Sequence, residues 1–486
     1  MKEYIESLKG MSAKQLVLML ARKRQAETAS IGILGMGCRF PGSINSPSQL
    51  WQALQDSCVV TQKYINGPPG IDGKVRWHPE TFTNSSCLSS GGFLEAINQF
   101  DAKRYGIEEQ EAIYMDPQQR LLLSCTWQAL EQAGIEPSSL RGKKVGIFIG
   151  ISTSEFLYAS LYRGMSEKEL SPYMGTGTAL SATSGRIAMA LGSEGPTITV
   201  DTACSSALTA AHLAVQSLRR RDCDFAVVGA VHLLLSPLTF FVFQKAGMLS
   251  PRGKSCPFDA DADGYARSEG CGVVILRRAQ DAIDEGYPLW GVIRGTAIHQ
   301  NGQRHNLSSS SGRSQKEVIT SVLQQCEWDA HDVQFVEAHG TGSRMGGVIE
   351  LETLADAYQR NQPNAPPLYV SSVKANLGHM ETASGMASLI KTLYALRYGL
   401  IPPQVNFSNP DPKIAWDQMS IRVADRLTLW TPCDKRRAGI SAFGFTGTNA
   451  HITLEAVDTS IQFIEKKHVQ QTYESVESFW PIDNFW

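Results

Sequence analysis

Residues 197–220 read TITVDTACSSALTAAHLAVQSLRR. A β-branched run ends at Val200, small residues turn around Cys204, and apolar residues recur at helical spacing from Ser205. A strand feeding a helix through a tight turn is the repeating unit of an α/β fold. It also sets one thiol at the first turn of a buried helix. There the positive end of the helix dipole and free N–H groups favour a thiolate and can hold a developing oxyanion. The plainer alternative is that Cys204 is a small buried hydrophobe, as free cysteines often are. The stretch alone leaves the two readings open.

The same grammar extends outward. IGILGMGCRFPG (31–42) opens the folded part, and KKVGIFIG (143–150), FAVVGAV (225–231), GVVILRR (272–278), GVIRGTAI (291–298), VQFVEAH (333–339) and LYVSSVK (368–374) are further β-branched runs. They alternate with helical patterns at 116–133, 205–221, 313–326 and 383–398. Strands buried on both sides and separated by helix-length segments predict mostly parallel sheets with helices on their faces. Residues 30–288 and 289–456 each hold such a set, which allows a pseudo-duplicated fold. Residues 1–29 read as a short amphipathic helix that docks or caps a dimer, and 457–486 as a tail of charges and aromatics that packs on the body or docks elsewhere.

Composition removes several function classes. Among 486 residues, 45 Lys plus Arg balance 47 Asp plus Glu for a formal charge of -2, so no global field marks a nucleic-acid binder. The ten cysteines are scattered without a C-x-x-C pair, which predicts a reducing, cytoplasmic setting. Acids from position 3 onward rule out a secretory signal. Residues 226–243 lack charge over 18 positions, but Gly229, His232, Ser236 and Pro237 interrupt them, so a buried strand followed by a buried helix is expected rather than a membrane span.

Two histidines sharpen the reading of Cys204. VEAHGTG places His339 and VKANLGHMETASG places His379, each in a glycine-flanked turn after a predicted strand. Separations of 135 and 40 residues, with no H-E-x-x-H and no paired Cys ligands, disfavour zinc, and no metal site is expected. A cysteine gathered with histidines by the fold suits covalent acyl chemistry.

DTACSSAL, VEAHGTG, KANLGH and SAFGFTGTNAH, in this order, resemble the signature blocks of the β-ketoacyl synthase family of the thiolase superfamily. MGCRFPG (36–42), MDPQQRLLL (115–123), TGTALSATSGRIA (176–188) and PFDADADGYARSEG (257–270) resemble ketosynthase domains of modular type I polyketide synthases. The resemblance covers residues 30–456. It implies a five-layered αβαβα fold of two pseudo-duplicated halves, a homodimer, and decarboxylative Claisen condensation without a metal or redox cofactor. Cys204 would take an acyl chain from an acyl carrier protein. His339 and His379 would hold the enolate oxygen of a malonyl-type extender as it loses CO2, and Lys374 would support His379 through the local network. The N–H groups of Cys204 and Phe445 would form the oxyanion hole, with Phe445 also the gate. Thr341 and Ser343 would contact the carrier's phosphopantetheine arm.

The chain departs from the family pattern in places. HGTGSRMGGVIE (339–350) has Gly347 and Val348 where Asp and Pro are usual, which predicts a looser loop beside the site. Thr446 stands where Gly or Ser is usual and is expected to narrow the acyl path beside Phe445. The run from Asp259 through Asp261 and Asp263 opens like a calcium loop but has Gly270 at the closing position, so a polar turn is expected. MGTGT (174–178) lacks a phosphate-loop lysine, and LSSSSGRSQ (307–315) reads as a loop ending in a helix start. Pocket-lining residues are sought within 225–248. Two rivals are an acyltransferase that uses Cys204 without extension, motivated by Gly347 and Val348, and a scaffold partner, which the three catalytic-type residues argue against. A plain coenzyme A thiolase fits MGCRFPG and MDPQQR poorly. What is left after His451 is too short for an acyltransferase and carrier, which predicts either an excised domain or a discrete protein that docks to partners.

Overall fold

The β-branched runs become strands and the helical-spacing runs become helices, in an order that occurs twice. The computed structural model describes residues 9, 11–64, 67–70, 75–77, 90–162, 170–430 and 432–457. Helix α1 (Ala13–Glu27) precedes the first repeat. That repeat runs β1 (Ile31–Arg39), α2 (Pro117–Gln132), β2 (Val145–Gly150), α3 (Leu180–Leu191), β3 (Thr197–Val200), α4 (Ser206–Arg220), β4 (Phe225–His232), α5 (Leu238–Lys245) and β5 (Gly270–Arg278). The second runs β6 (Gly291–Gln300), α6 (Gly312–Cys326), β7 (Phe335–Glu337), α7 (Arg344–Ala357), β8 (Leu368–Ser371), α8 (Ser384–Tyr398), β9 (Arg437–Phe443) and β10 (Thr448–Glu455). In space the strands lie β1-β5-β4-β2-β3 and β6-β10-β9-β7-β8, the same order with the same directions. The duplication that periodicity only allowed is thus visible in the topology.

Each sheet is covered on both faces. Buried side chains of α2 and α3 close the outer face of the first sheet, those of α6 and α7 the outer face of the second, and α4 and α8 fill the layer between. These are the five layers that the resemblance implies. The central helices approach closely because their contact is built from small residues: a Cβ on Gly385 would stand 2.9 Å from that of Ala207. Local chemistry starts the helices where expected. The Asp116 side chain accepts from Gln118 N–H with Pro117 at the first position of α2, and Ser311 caps α6 by accepting from Ser314 N–H.

One expectation is corrected. The sheets are mixed rather than mostly parallel, with β1, β5 and the β9–β10 hairpin in antiparallel pairings. A strand buried on both faces is apolar throughout whichever way its neighbour runs, so the pattern carries no direction. The two sheets are also joined, Ile31–Ile33 of β1 pairing antiparallel with Gly291–Ile293 of β6.

The chargeless stretch 226–243 divides into β4 and α5 as expected, and no described helix is long and apolar enough to cross a membrane. Asp259 is buried and accepts N–H groups of Asp261, Ser408 and Asn409, while Asp261 and Asp263 pair with Arg252. That segment is the expected polar turn. In α1, Val17, Leu18 and Leu20 are exposed. The tail assigned to 457–486 lies, beyond Val457, outside the described residues, as do residues 1–8 of the N-terminal segment.

Candidate active site

Strands β3, β7, β8 and β9 end toward one crevice, as open parallel arrangements require of a site. After β3 the chain turns sharply, with Ala203 in the left-handed region at φ 54°. Small polar side chains hold this turn. Asp201 accepts from Ala203 N–H at 2.8 Å, and Ser206 Oγ accepts from Thr202 N–H at 2.9 Å while donating to the Ala203 carbonyl at 2.7 Å. Cys204 follows at the centre of a short turn ahead of α4. Gly444, after β9, must be glycine here, since a Cβ would stand 2.4 Å from the Thr202 carbonyl. That close approach brings the next residue, Phe445, beside the thiol on the same cavity wall, where the backbone N–H groups of Phe445 and Cys204 favour the charged form of the sulfur.

The expected thiolate does not form. Burial pushes the Cys204 thiol up to about 12, the Glu381 charge adds to this, and Lys374 and the two N–H groups only partly oppose it. Desolvation of a charge outweighs a helix dipole whose share is typically 0.3–1 kcal/mol.

A cavity of about 540 Å³ gathers Cys204, His339, His379, Phe445, Thr341 and Ser343. Lys374 is not on its wall. It is buried behind the site, where desolvation lowers its pKa and the charges of Glu337 and Glu350 oppose that fall. Lys374 therefore reaches the thiol and both imidazoles through its field. From 225–248 only Ala246, Gly247 and Met248 line the cavity.

The two imidazole rings stand 5.7 Å apart at 83°. Both are neutral: burial first and the Lys374 charge second push His379 down to about 3 and His339 well below its ordinary value. His379 Nδ1 accepts from the backbone N–H of Glu381 at 3.0 Å and lies 2.9 Å from Ser384 Oγ. A backbone N–H can only donate, so the ring proton sits on Nε2. His339 Nδ1 is buried without a hydrogen-bond partner.

Sequence reading missed the charged residues that hold these loops. Glu350, from α7, accepts the N–H groups of His339 and Gly340 at 2.7 and 2.8 Å, and burial pushes its carboxyl up to about 7. Glu337 accepts from Val373 N–H at 2.6 Å and pairs with Lys391 at 2.7 Å, fixing the turn that leads to Lys374 and His379. The available signal was a lone charge within an apolar run, as in VQFVEAH or ASLIKTLYAL.

Two expected departures are corrected. Gly347 and Val348 lie within α7, not in a loose loop, so Glu350 stays in place one turn of helix further on. Thr446 is not on the cavity wall; its carbonyl accepts from Arg304 and Gln300.

Residues 28–282 match the family described as beta-ketoacyl synthase, N-terminal domain, and residues 290–408 its C-terminal domain. The chain belongs to the β-ketoacyl synthase family. Among curated relatives of this β-ketoacyl synthase, erythronolide synthase EryA3 of Saccharopolyspora erythraea is 41% identical over 91% of the chain and 14% of its own length. The pikromycin polyketide synthase component PikAII of Streptomyces venezuelae is 40% identical over 87% of the chain and 11% of its own length. The chain thus spans a small part of these relatives. Among solved structures, the ketosynthase from module 6 of the bacillaene synthase of Bacillus subtilis 168 superposes with a TM-score of 0.80 at 32% identity, covering 88% of this chain and 72% of that one. The oxazolomycin ketosynthase domain OzmH KS7 of Streptomyces albus JA3453 gives 0.79 at 30% identity, covering 88% and 75%. The fold is therefore thiolase-like, and the chain is a ketosynthase of the polyketide synthase kind.

Proposed function

We propose that this β-ketoacyl synthase takes an acyl chain onto Cys204 from an acyl carrier protein and extends it with a carrier-bound malonyl-type unit. The observation that carries the reading is one cavity holding a thiol, the Phe445 segment beside it and an imidazole fixed as an Nε2–H donor. In the loading step the thiol adds to the thioester carbonyl, the oxyanion rests on the N–H groups of Cys204 and Phe445, and the carrier leaves as a thiol. In the second step the malonyl C–C bond breaks and CO2 departs. The electron pair becomes an enolate whose oxygen accepts from His379 Nε2–H, with neutral His339 beside it. The enolate carbon then attacks the Cys204 thioester, the C–S bond breaks, and the released sulfur takes a proton from solvent, as a thiol of raised pKa favours. Thr341 and Ser343, on the cavity wall, would contact the phosphopantetheine arm. A homodimer and a cytoplasmic setting belong to the same reading, and the nine described cysteines are free thiols, as a reducing compartment keeps them. The transfer-only alternative loses its motive, because Gly347 and Val348 leave Glu350 bonded to the His339 loop.

Intact-protein mass spectrometry tests the reading. Wild type is expected to gain an acyl group that Cys204→Ala does not, and malonyl-loaded carrier is then expected to yield CO2 and a chain two carbons longer. His379→Ala is expected to load normally and to extend about 10²–10³-fold more slowly, the usual cost of removing an oxyanion donor. Loading without extension in the wild type, with release to another acceptor, would sink the proposal.

A further inference from the structure

Behind His379 lies a chain of buried polar side chains that the reaction above leaves unused. Glu381 adopts φ 44°, a left-handed conformation costly for a side chain with Cβ, and this turn aims its N–H at His379 Nδ1. Its carboxylate is held by Arg267 Nε at 2.7 Å and faces His232 Nε2 at 3.3 Å. Arg267 is 1% exposed, and the backbone on either side of it is bonded to His379, whose N–H donates to Ala266 and whose carbonyl accepts from Ser268. The Arg267 fork also donates to Thr239 Oγ1 at 2.6 Å, which donates to Glu155 at 2.6 Å. Glu155 in turn accepts the N–H groups of Leu235 and Ser236. The rings of Phe240 and Phe243 lie 4.5 and 5.0 Å from the guanidinium carbon.

A buried arginine so fully engaged fixes the carboxylate, and the carboxylate fixes a strained turn. We propose that Arg267 is a positioning residue for the condensation: through Glu381 it holds the backbone N–H that keeps His379 a neutral Nε2–H donor. If the Glu381 turn relaxes, Nδ1 keeps only Ser384 Oγ, which accepts as readily as it donates. The ring can then carry its proton on Nδ1 and turn an Nε2 lone pair toward the enolate oxygen, where a donor is needed. The inference rests on the condensing-enzyme reading.

Ring-¹⁵N-histidine NMR and steady-state CO2 release from malonyl-loaded carrier test it together on wild type, Arg267→Lys and Glu381→Gln. Lysine keeps the charge but loses the planar fork. Wild-type His379 is expected as the Nε2–H tautomer. R267K is expected to show mixed tautomers, a kcat for CO2 release lowered about tenfold or more at unchanged KM, and acyl loading of Cys204 within about twofold of wild type. E381Q, which keeps the backbone but weakens the hold on Arg267, should shift the tautomer in the same direction. A wild-type Nδ1–H tautomer overturns the inference, as does either variant with wild-type tautomer and CO2 release. Should R267K fail to fold, the wild-type spectrum and E381Q decide. A wild type that loads but releases no CO2 counts against the condensing reading instead, while the spectra still test Arg267.

Discussion

At the scale of single residues, the site shows which of two opposed effects wins at a buried sulfur. Cys204 has the helix start and two N–H groups that sequence reading credits with making a thiolate, yet burial leaves it a thiol near 12. At pH 8 roughly one sulfur in ten thousand is then ionised. Alkylation by iodoacetamide, which consumes the thiolate, is expected to climb about tenfold per pH unit from about pH 7 to about pH 9 with no plateau. Lys374→Met removes a charge that favours the thiolate and should slow alkylation at any fixed pH; Glu381→Gln removes one that disfavours it and should speed it. Peptide mapping of the Cys204 adduct reads both, and the opposite order would show that field effects do not set this thiol. Cys204, His339 and His379 were legible because each sits in a turn of small or glycine residues after a strand. Arg267, Glu350 and Glu381 were not, because they act on partners by contacts that only the fold creates.

At the scale of elements, two glycines of opposite meaning make the next test. Gly347 lies in α7 with an ordinary helical φ, and an added Cβ would meet Phe258 at 3.5 Å, a normal contact. Alanine there should stabilise by about 0.5–1 kcal/mol through the unfolded chain, a rise in Tm on the order of 1 °C for a protein of this size. Gly35 sits at the bulge of β1, where a Cβ would stand 2.2 Å from the Ala129 carbonyl of α2. Alanine there must push helix from sheet and should cost about 1–3 kcal/mol or more. Calorimetry of Gly347→Ala and Gly35→Ala should give Tm changes of opposite sign, and a fall for Gly347→Ala would mean the α7 start is strained. Strand positions were readable from β-branched runs between breakers. Strand direction was not, because β5 is buried at all nine positions and so shows no alternation to betray its neighbours.

At the scale of the whole molecule, the fold stores neutral imidazoles, and this fixes how it meets acid. His339, His379 and His451 are all held below their ordinary value chiefly by burial, His379 and His451 near 3. His451 lies outside the cavity, with the Tyr358 hydroxyl 2.9 Å from Nε2 and the Ser441 hydroxyl 3.0 Å from Nδ1. The unfolded chain protonates such a ring near 6.5 and the folded one only near 3, so between these values the unfolded state holds more protons. Stability is therefore fully present above about 6.5 and is lost as pH falls, by up to about 1.4 kcal/mol per pH unit for each ring. Glu350, raised to about 7 from 4.5, works in the opposite sense between those two values. Comparing wild type with His451→Gln cancels that carboxyl and isolates one ring. The variant should be less stable at pH 7, having exchanged a two-sided hydrogen-bonded ring for a flexible amide, but denaturant midpoints should fall less steeply with acid, so the gap narrows from about pH 6 to about pH 4. Parallel curves would mean that His451 is already protonated in the folded protein.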